Sequence, residues 1–244
     1  VTALRHALNL FARQFALALQ QSTRVRLGGA WAPPAEADAA FLRASDAHLP
    51  GTGWIVGLAA CLAFAVVALA LRGSPWGPAA AAVGSMAVTL LMTGAHAEGA
   101  LFRGVEHLEP GAAAAGRGTM ALVLLLLGKA TLLAALASAS EGRVMAALFA
   151  GHVLSRLAPV VLAQRLAGGM DARTLRVAAL WCLPPLLLLW PAGGPAFPAL
   201  ALLVAGLAGY AMARLAAAKR DGELVPASQP VCELGFYLGA AIGA

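Results

Sequence analysis

Charge is scarce in this sequence. Only 11% of its 244 residues are Asp, Glu, Lys or Arg, against about a quarter in an ordinary soluble domain. A chain so poor in charge cannot cover a globule with water-compatible side chains, and that excludes a soluble enzyme or binding module. Aromatic residues are also scarce, at 6%. The formal charge of +6 comes from basic residues standing singly between apolar runs. With no basic stripe and no aromatic interleaving, nucleic acid is not an expected partner. The three cysteines, Cys61, Cys182 and Cys232, are isolated in or beside apolar stretches. Their odd number and wide spacing exclude a disulfide framework and a paired-cysteine metal site. Gly-rich nucleotide fingerprints and nucleophile elbows are absent as well. The first 20 residues contain Arg5, His6, Arg13 and Gln14, so no cleavable signal peptide is expected there.

What the sequence does have is apolar length. Hydrophobic residues make up 61% of it and the mean hydropathy is +0.80. A membrane-crossing helix needs roughly 20 mainly apolar residues, and Gly53–Leu71, Pro78–Thr93, Met120–Ser140, Val144–Leu162, Leu175–Trp190 and Phe197–Ala213 meet or approach that length. Val231–Ala244 is shorter and reads as a seventh span or a re-entrant piece. Turn-forming clusters separate the runs: Gly73-Ser74-Pro75, Glu109-Pro110-Gly111, Gly168-Gly169 and Gly193-Gly194-Pro195. Pro184-Pro185 lies inside the fifth run and predicts a kink. In lipid every backbone polar group must be paired internally, so these runs are helices. The predicted fold is all-α, a polytopic membrane bundle of six or seven transmembrane helices. An N-terminal amphipathic segment (residues 1–52) precedes the transmembrane domain (53–244). Within that segment Leu4, Leu8, Phe11, Phe15 and Leu19 recur at helical spacing. Such a helix can lie in the membrane interface or pack on the bundle.

Basic residues set the expected orientation. With the N-terminus in the cytoplasm, Arg5, Arg13, Arg24, Arg26 and Arg43 lie inside, joined by basic residues of the second, fourth and sixth loops. Only Arg72 and Arg143 fall outside, while Lys129 and Arg156 lie within spans. The outer loops "RGSPWGP", "ASEGR" and "PAGGP" are short and nearly featureless. Chemistry gathered on one membrane face suits an interfacial enzyme, whereas a transporter more often places ionisable groups near the midplane.

Three groups of residues can carry that chemistry. His96 and Glu98 follow the second span, with Glu106 and His107 further on. Glu98 is a possible ligand for a hard cation, although spacing alone is equally compatible with a solvated loop. His152 and Arg156 stand four apart on one face of the fourth span, beside Ser155. Arg156 suits phosphate, and it reads alternatively as a snorkelling side chain on a backbone carbonyl. Lys129, deep in "LVLLLLGKATLLAAL", requires a partner or a water path. The sixth loop, "AAAKRDGELVPASQPVCELG", gathers Lys219, Arg220, Asp221, Glu223 and Glu233. It reads either as a charge run beside the membrane or as a source of carboxylates folded back towards Glu98.

The order of "LALQQSTRVRL", "ASDAHLPGTGWIVGL", "LLMTGAHAEG", "LLLLGKATLLAAL", "AALFAGHVLSRLAPVVLAQRL" and "CELGFYLG" resembles the cobalamin synthase family. These are the adenosylcobinamide-GDP ribazoletransferases of bacterial inner membranes, and the likeness covers nearly the whole chain. The resemblance implies a Mg2+-dependent phosphotransferase that joins adenosylcobinamide-GDP to α-ribazole, giving adenosylcobalamin and GMP. Positioning and charge neutralisation supply most of the catalysis in such a transfer. It implies His96 and Glu98 as catalytic groups. Arg24, Lys129, His152, Ser155 and Arg156 would contact substrate, and Glu98, Glu223 and Glu233 would surround magnesium. It further implies a multi-pass protein of the cell inner membrane whose N-terminus and site loops are cytoplasmic. Expected partners are the lipid bilayer and either a second copy or other membrane proteins of the cobalamin pathway.

The acidic motifs depart from the family pattern. After the second span the family has H-x-D-G-x-x-D-x-x-D-G. His96, Glu98 and Gly99 match, but the next two acidic positions fall on Phe102 and Val105 or are lost in a deletion. A D-S-R-x-G stretch falls on Gly111, Ala112 and Ala113, and T-G-D-x-x-G-A is reduced to "DGELVPAS", with Gly222 and Glu223 in place. Losing one electrostatic contact of this kind commonly costs on the order of a hundredfold in rate. The alternative is therefore a catalytically impaired paralogue that binds corrinoid or a biosynthetic partner without turnover. A CDP-alcohol phosphotransferase is disfavoured because its D-G-x-x-A-R pattern is missing.

Overall fold

The computed structural model describes residues 2–32, 37–108 and 116–244. Among the described residues there are helices and connecting turns but no strand. The amphipathic segment forms α1 (Thr2–Ser22), a short 3-10 turn at Gly29–Trp31 and α2 (Ala39–Asp46). α1 packs on the bundle chiefly through its second half. Leu4, Leu8 and Phe11 are exposed, whereas Ala16, Ala18 and Leu19 are buried against the bundle. Asp38 caps α2 by accepting from the Phe41 N–H at 2.7 Å.

The bundle follows as α3 (Leu49–Ala70), α4 (Gly77–Thr93), α5 (His96–Leu108), α6 (Arg117–Ala139), α7 (Glu141–Leu154), α8 (Leu157–Leu166), α9 (Ala172–Gly193), α10 (Ala196–Lys219) and α11 (Leu224–Gly243). Among the described residues five helices or helix pairs are long and apolar enough to cross a membrane, with α7 and α8 counted as one. A sixth arises if α4 and α5, bent by 86° at their junction, are taken as one broken span. All six apolar runs of the sequence therefore become helices, within a few residues of their expected ends. α9 contains Pro184 and Pro185 and still runs as one helix. The break at Glu109-Pro110-Gly111 lies outside the described residues.

The tail is longer than its apolar run suggested. α11 begins at Leu224 rather than Val231 and packs extensively along α10. Its length comes to about 30 Å at 1.5 Å per residue, yet it is not among the helices apolar enough to cross a membrane. A side chain at Gly239 would meet the Leu200 carbonyl, and one at Gly243 would come within 2.7 Å of the Ala196 carbonyl. Small residues at such spacing let two backbones approach, the usual packing device where lipid supplies no hydrophobic drive. Gly53 and Gly57 do the same for α3 on α7.

Apolar side chains cover the outside of the bundle, among them Leu62, Leu69, Leu91, Leu124, Leu180, Leu187 and Leu203. An exposed apolar surface of this extent marks contact with lipid. The inside is sealed by Leu133, Leu136, Leu148, Phe197 and Phe236. The two ends of the bundle differ. At the distal end are the short α3–α4, α6–α7 and α9–α10 links, exposed Trp76 and Trp190, and the C-terminus, where Arg143 donates to the Ala244 carbonyl. At the proximal end are α1, α2, α5 and the α8–α9 and α10–α11 links. They bring almost every acidic residue and histidine of the described chain with them.

Candidate functional site

The turn between α4 and α5 builds the mouth of the site. Gly94 ends α4 at φ +69° and Ala95 continues at φ +53°, so two successive residues are left-handed. Glycine is needed at the first for a second reason, because a β-carbon there would lie 2.9 Å from Arg24 Nε. The backbone N–H of Arg24 donates to the Met92 carbonyl at 2.8 Å, tying the end of α1 to this elbow. The elbow points α5 across the bundle and places His96 and Glu98 in its first turn. An apolar run empties into a polar cluster here because the backbone reverses direction before it leaves the bundle.

Behind Glu98 lies a closed ionic cluster. Lys129 Nζ, from the middle of α6, is 3.1 Å from Glu233 Oε2 and 3.6 Å from Glu98 Oε1. The Tyr237 hydroxyl donates to Glu233 Oε1 at 3.0 Å. His152 Nδ1 is 3.5 Å from the same oxygen and makes no hydrogen bond. Arg156 begins the α8 half of the broken α7–α8 span, and its Nη1 donates to the His152 carbonyl while Nε is left without a partner. Lys129 is 4% exposed, Glu233 3% and Arg156 1%. Two fixed cations face two carboxylates, and pairing of this kind lets ionised groups sit so deep. Gly151 belongs to the same construction, since a β-carbon there would strike the Tyr237 ring at 2.5 Å.

The cluster opens into a cavity of about 300 Å³ at the proximal end. Glu98, His152, Arg156 and Glu233 form its polar wall with His96. Asp46, Gln21 and Ser22 come from the N-terminal segment that folds over it, and Val56, Val160 and Pro226 supply apolar surface. Asp46 lies outside the spans, and burial pushes its carboxyl up to about 6. Beside it His48 accepts from Trp181 Nε1 at 3.2 Å, in an aromatic group with Phe11 and Phe15 that fastens α1 to α9. Burial holds the His48 ring down to about 4, so it stays neutral at ordinary pH. A guanidinium with an unpaired buried N–H suits an incoming phosphate oxygen.

Of the residues singled out in the sequence, His96, Glu98, His152, Arg156 and Glu233 line one cavity, and Lys129 joins two of them from beneath. Three fall elsewhere. Arg24 packs on the α4–α5 elbow and is not among the lining residues. Ser155 turns its buried hydroxyl to the other side of α8, to a separate groove of about 350 Å³ against α10 and α11. Glu223 is held by Arg103 Nη2 at 3.0 Å on the outside of α5. The sixth loop does fold onto α5, but its acids are spent there, since Asp221 also meets His107 Nδ1 at 3.2 Å. Glu98, Glu223 and Glu233 thus do not form one set, and two of them already share the Lys129 ammonium. Among the described residues no group of three or more His, Cys, Asp or Glu side chains is placed to hold a metal ion. The described residues do not assemble Glu98, Glu223 and Glu233 into the magnesium site that the resemblance implies. Gly111, Ala112 and Ala113 lie outside the described residues. Sequence reasoning passed over Tyr237, which stands four residues after Glu233 and so was recoverable from helical spacing. It also passed over Asp46, which has no such signal.

These features define a polytopic membrane protein with a charge-lined chamber at one end of its helical bundle. The chain is 33% identical over 281 aligned positions to an adenosylcobinamide-GDP ribazoletransferase of Polaromonas sp. (strain JS666), covering 95% of this chain and 97% of that one. It is 32% identical to the protein of that name from Polaromonas naphthalenivorans, with 95% and 98% covered, and 34% identical to that of Albidiferax ferrireducens, with 96% and 99% covered. The chain belongs to the adenosylcobinamide-GDP ribazoletransferase family, the cobalamin synthases. The alignments run to about 280 positions against 244 residues here, so the relatives carry residues that this chain lacks. No family profile matches the chain. No solved structure matches it either.

Proposed function

We propose that this protein joins adenosylcobinamide-GDP to α-ribazole, releasing GMP, at the proximal cavity. The observation that carries the reading is Arg156, a fully buried guanidinium with an unpaired N–H in a chamber at one end of the bundle. The chain belongs to a family whose name describes this transfer. A ribose hydroxyl of α-ribazole attacks the phosphorus on the corrinoid side of the diphosphate. An O–P bond forms, the bridging P–O bond breaks, and GMP leaves with the electron pair. Arg156 holds phosphate oxygens and offsets the charge that grows on them. Lys129 and Tyr237 fix Glu233, and Lys129 also holds Glu98, so the polar wall does not reorganise during the step. A cavity of this size admits the reacting phosphates, with the bulky corrinoid ring lying at the mouth.

The test is purified protein in nanodiscs with adenosylcobinamide-GDP and α-ribazole, with and without Mg2+, followed for GMP. The expected result is GMP formed only when α-ribazole is present and reduced at least about a hundredfold in Arg156→Ala. Corrinoid binding without turnover in any divalent cation would support the impaired paralogue instead.

The same reading sets the cavity and the N-terminus on the cytoplasmic side of a bacterial inner membrane, where a nucleotide-linked substrate would be met. It rests on the excess of basic residues at the proximal end. Cysteines introduced at Gly168 and at Ser74 report it: a membrane-impermeant maleimide applied from outside should label only Ser74→Cys.

A further inference from the structure

The wall of the cavity contains one carboxylate that has no partner. Asp46 is the last residue of α2, its side chain lines the chamber, and among the described residues nothing hydrogen-bonds or ion-pairs with it. Glu98 and Glu233 are tied to Lys129, and Glu223 is tied to Arg103. A carboxylate sheltered from water and left free is costly to the fold unless something at the site uses it. His48, two residues on, is committed to Trp181, so it cannot serve in its place.

We infer that Asp46 is the general base that takes the proton from the attacking ribose hydroxyl of α-ribazole. The inference rests on the transfer proposed above. Asp46 stands on the N-terminal segment, whereas Arg156 and Lys129 stand on the bundle, so base and phosphate-holding group reach the cavity from separate elements. The hydroxyl proton passes to an Asp46 oxygen as its own oxygen bonds to phosphorus. GMP departs on its bridging oxygen, and Asp46 returns the proton to water through the open mouth.

The other titratable groups of the chamber are His96 and Glu98 from α5, His152 from α7, Arg156 between α7 and α8, and Glu233 from α11. α1 contributes only Gln21 and Ser22 to the wall, and none of the arginines of α1 or α9 lines it. Burial alone raises the Asp46 carboxyl, to about 6. It is therefore ionised at neutral pH yet close enough to that pH to accept a proton. Phe102 and Val105 stand where the family pattern has acids, Glu106 of α5 does not line the chamber, and Asp46 supplies a free acid there from a different element.

The experiment measures GMP release and corrinoid-GDP binding for wild type, Asp46→Asn and Asp46→Glu between pH 5 and 8.5. Wild type should lose activity with slope one below about pH 6, as the base becomes protonated. Asp46→Asn should turn over at least about a hundredfold more slowly with no such limb. Its dissociation constant for the corrinoid should stay within about threefold, and Asp46→Glu should regain at least tenfold over Asn. Retained binding certifies the fold. If wild type turns over and Asp46→Asn keeps both its rate and its acid limb, the base assignment is wrong while the transferase reading stands. If wild type neither turns over nor binds, both fall.

Discussion

Removing the Lys129 ammonium is the most direct test of how the bundle tolerates its buried charges. Lys129 is 4% exposed and sits between Glu233 at 3.1 Å and Glu98 at 3.6 Å. At an effective dielectric of about 20, each contact is worth about 5 kcal/mol before desolvation. Taking the ammonium out of water offsets much of that. The net loss in Lys129→Met is about 3–5 kcal/mol, the usual cost of leaving a buried partner uncompensated. Against a total stability of about 5–15 kcal/mol the loss is severe. Thermal unfolding in detergent, followed by tryptophan fluorescence, should show the midpoint falling by many degrees. Lys129→Met combined with Glu233→Gln should recover at least half of the loss, because one of the two stranded charges is then gone. A double-mutant cycle gives the coupling directly. Additive effects, or a Lys129→Met protein as stable as wild type, would refute the claim that these three groups share one electrostatic unit.

Other outcomes follow from the same geometry. Gly53→Val drives a side chain into the His152 carbonyl, against which the glycine packs directly. It should cost about 1–3 kcal/mol or more and weaken substrate binding, since Arg156 hangs on that carbonyl; unfolding midpoint and corrinoid affinity check it. Glu223→Gln breaks only a surface pair with Arg103 and should leave GMP formation within about threefold, with stability changed by less than about 1 kcal/mol. Asp46→Asn should raise heat stability above pH 6. The folded carboxyl titrates near 6 against 3.8 as its ordinary value, so the penalty on the folded state is absent below the ordinary value, grows between the two, and is complete above about 6. The gain is roughly 1 kcal/mol after allowing for partial exposure, and it should vanish at pH 4; unfolding midpoints at the two pH values check it.

Much of this molecule is legible along the chain. An apolar run long enough to cross lipid must be a helix, because no other structure pairs its backbone there, and the six runs became helices for that reason. Polar residues sorted to one end because they interrupt the chain at every second link. Lys129, His152, Arg156 and Glu233 could be picked out singly, since an ionisable residue inside an apolar run has to find a partner. Their assembly into one cluster could not be read, because it depends on where α6, α7 and α11 touch.

Composition, run length and the order of motifs are enough to read the membrane setting, the helices and the family from the chain. Which charges meet is set by helix packing. It bound Glu98 and Glu233 to one ammonium, sent Glu223 to Arg103 and turned Ser155 away from the chamber. It also brought Asp46 from the N-terminal segment into the wall. An ion pair is set by a few ångströms of separation, and separations between helices far apart in the chain are fixed only when glycine contacts such as Gly53 on α7 and Gly239 on α10 set how closely the backbones pack.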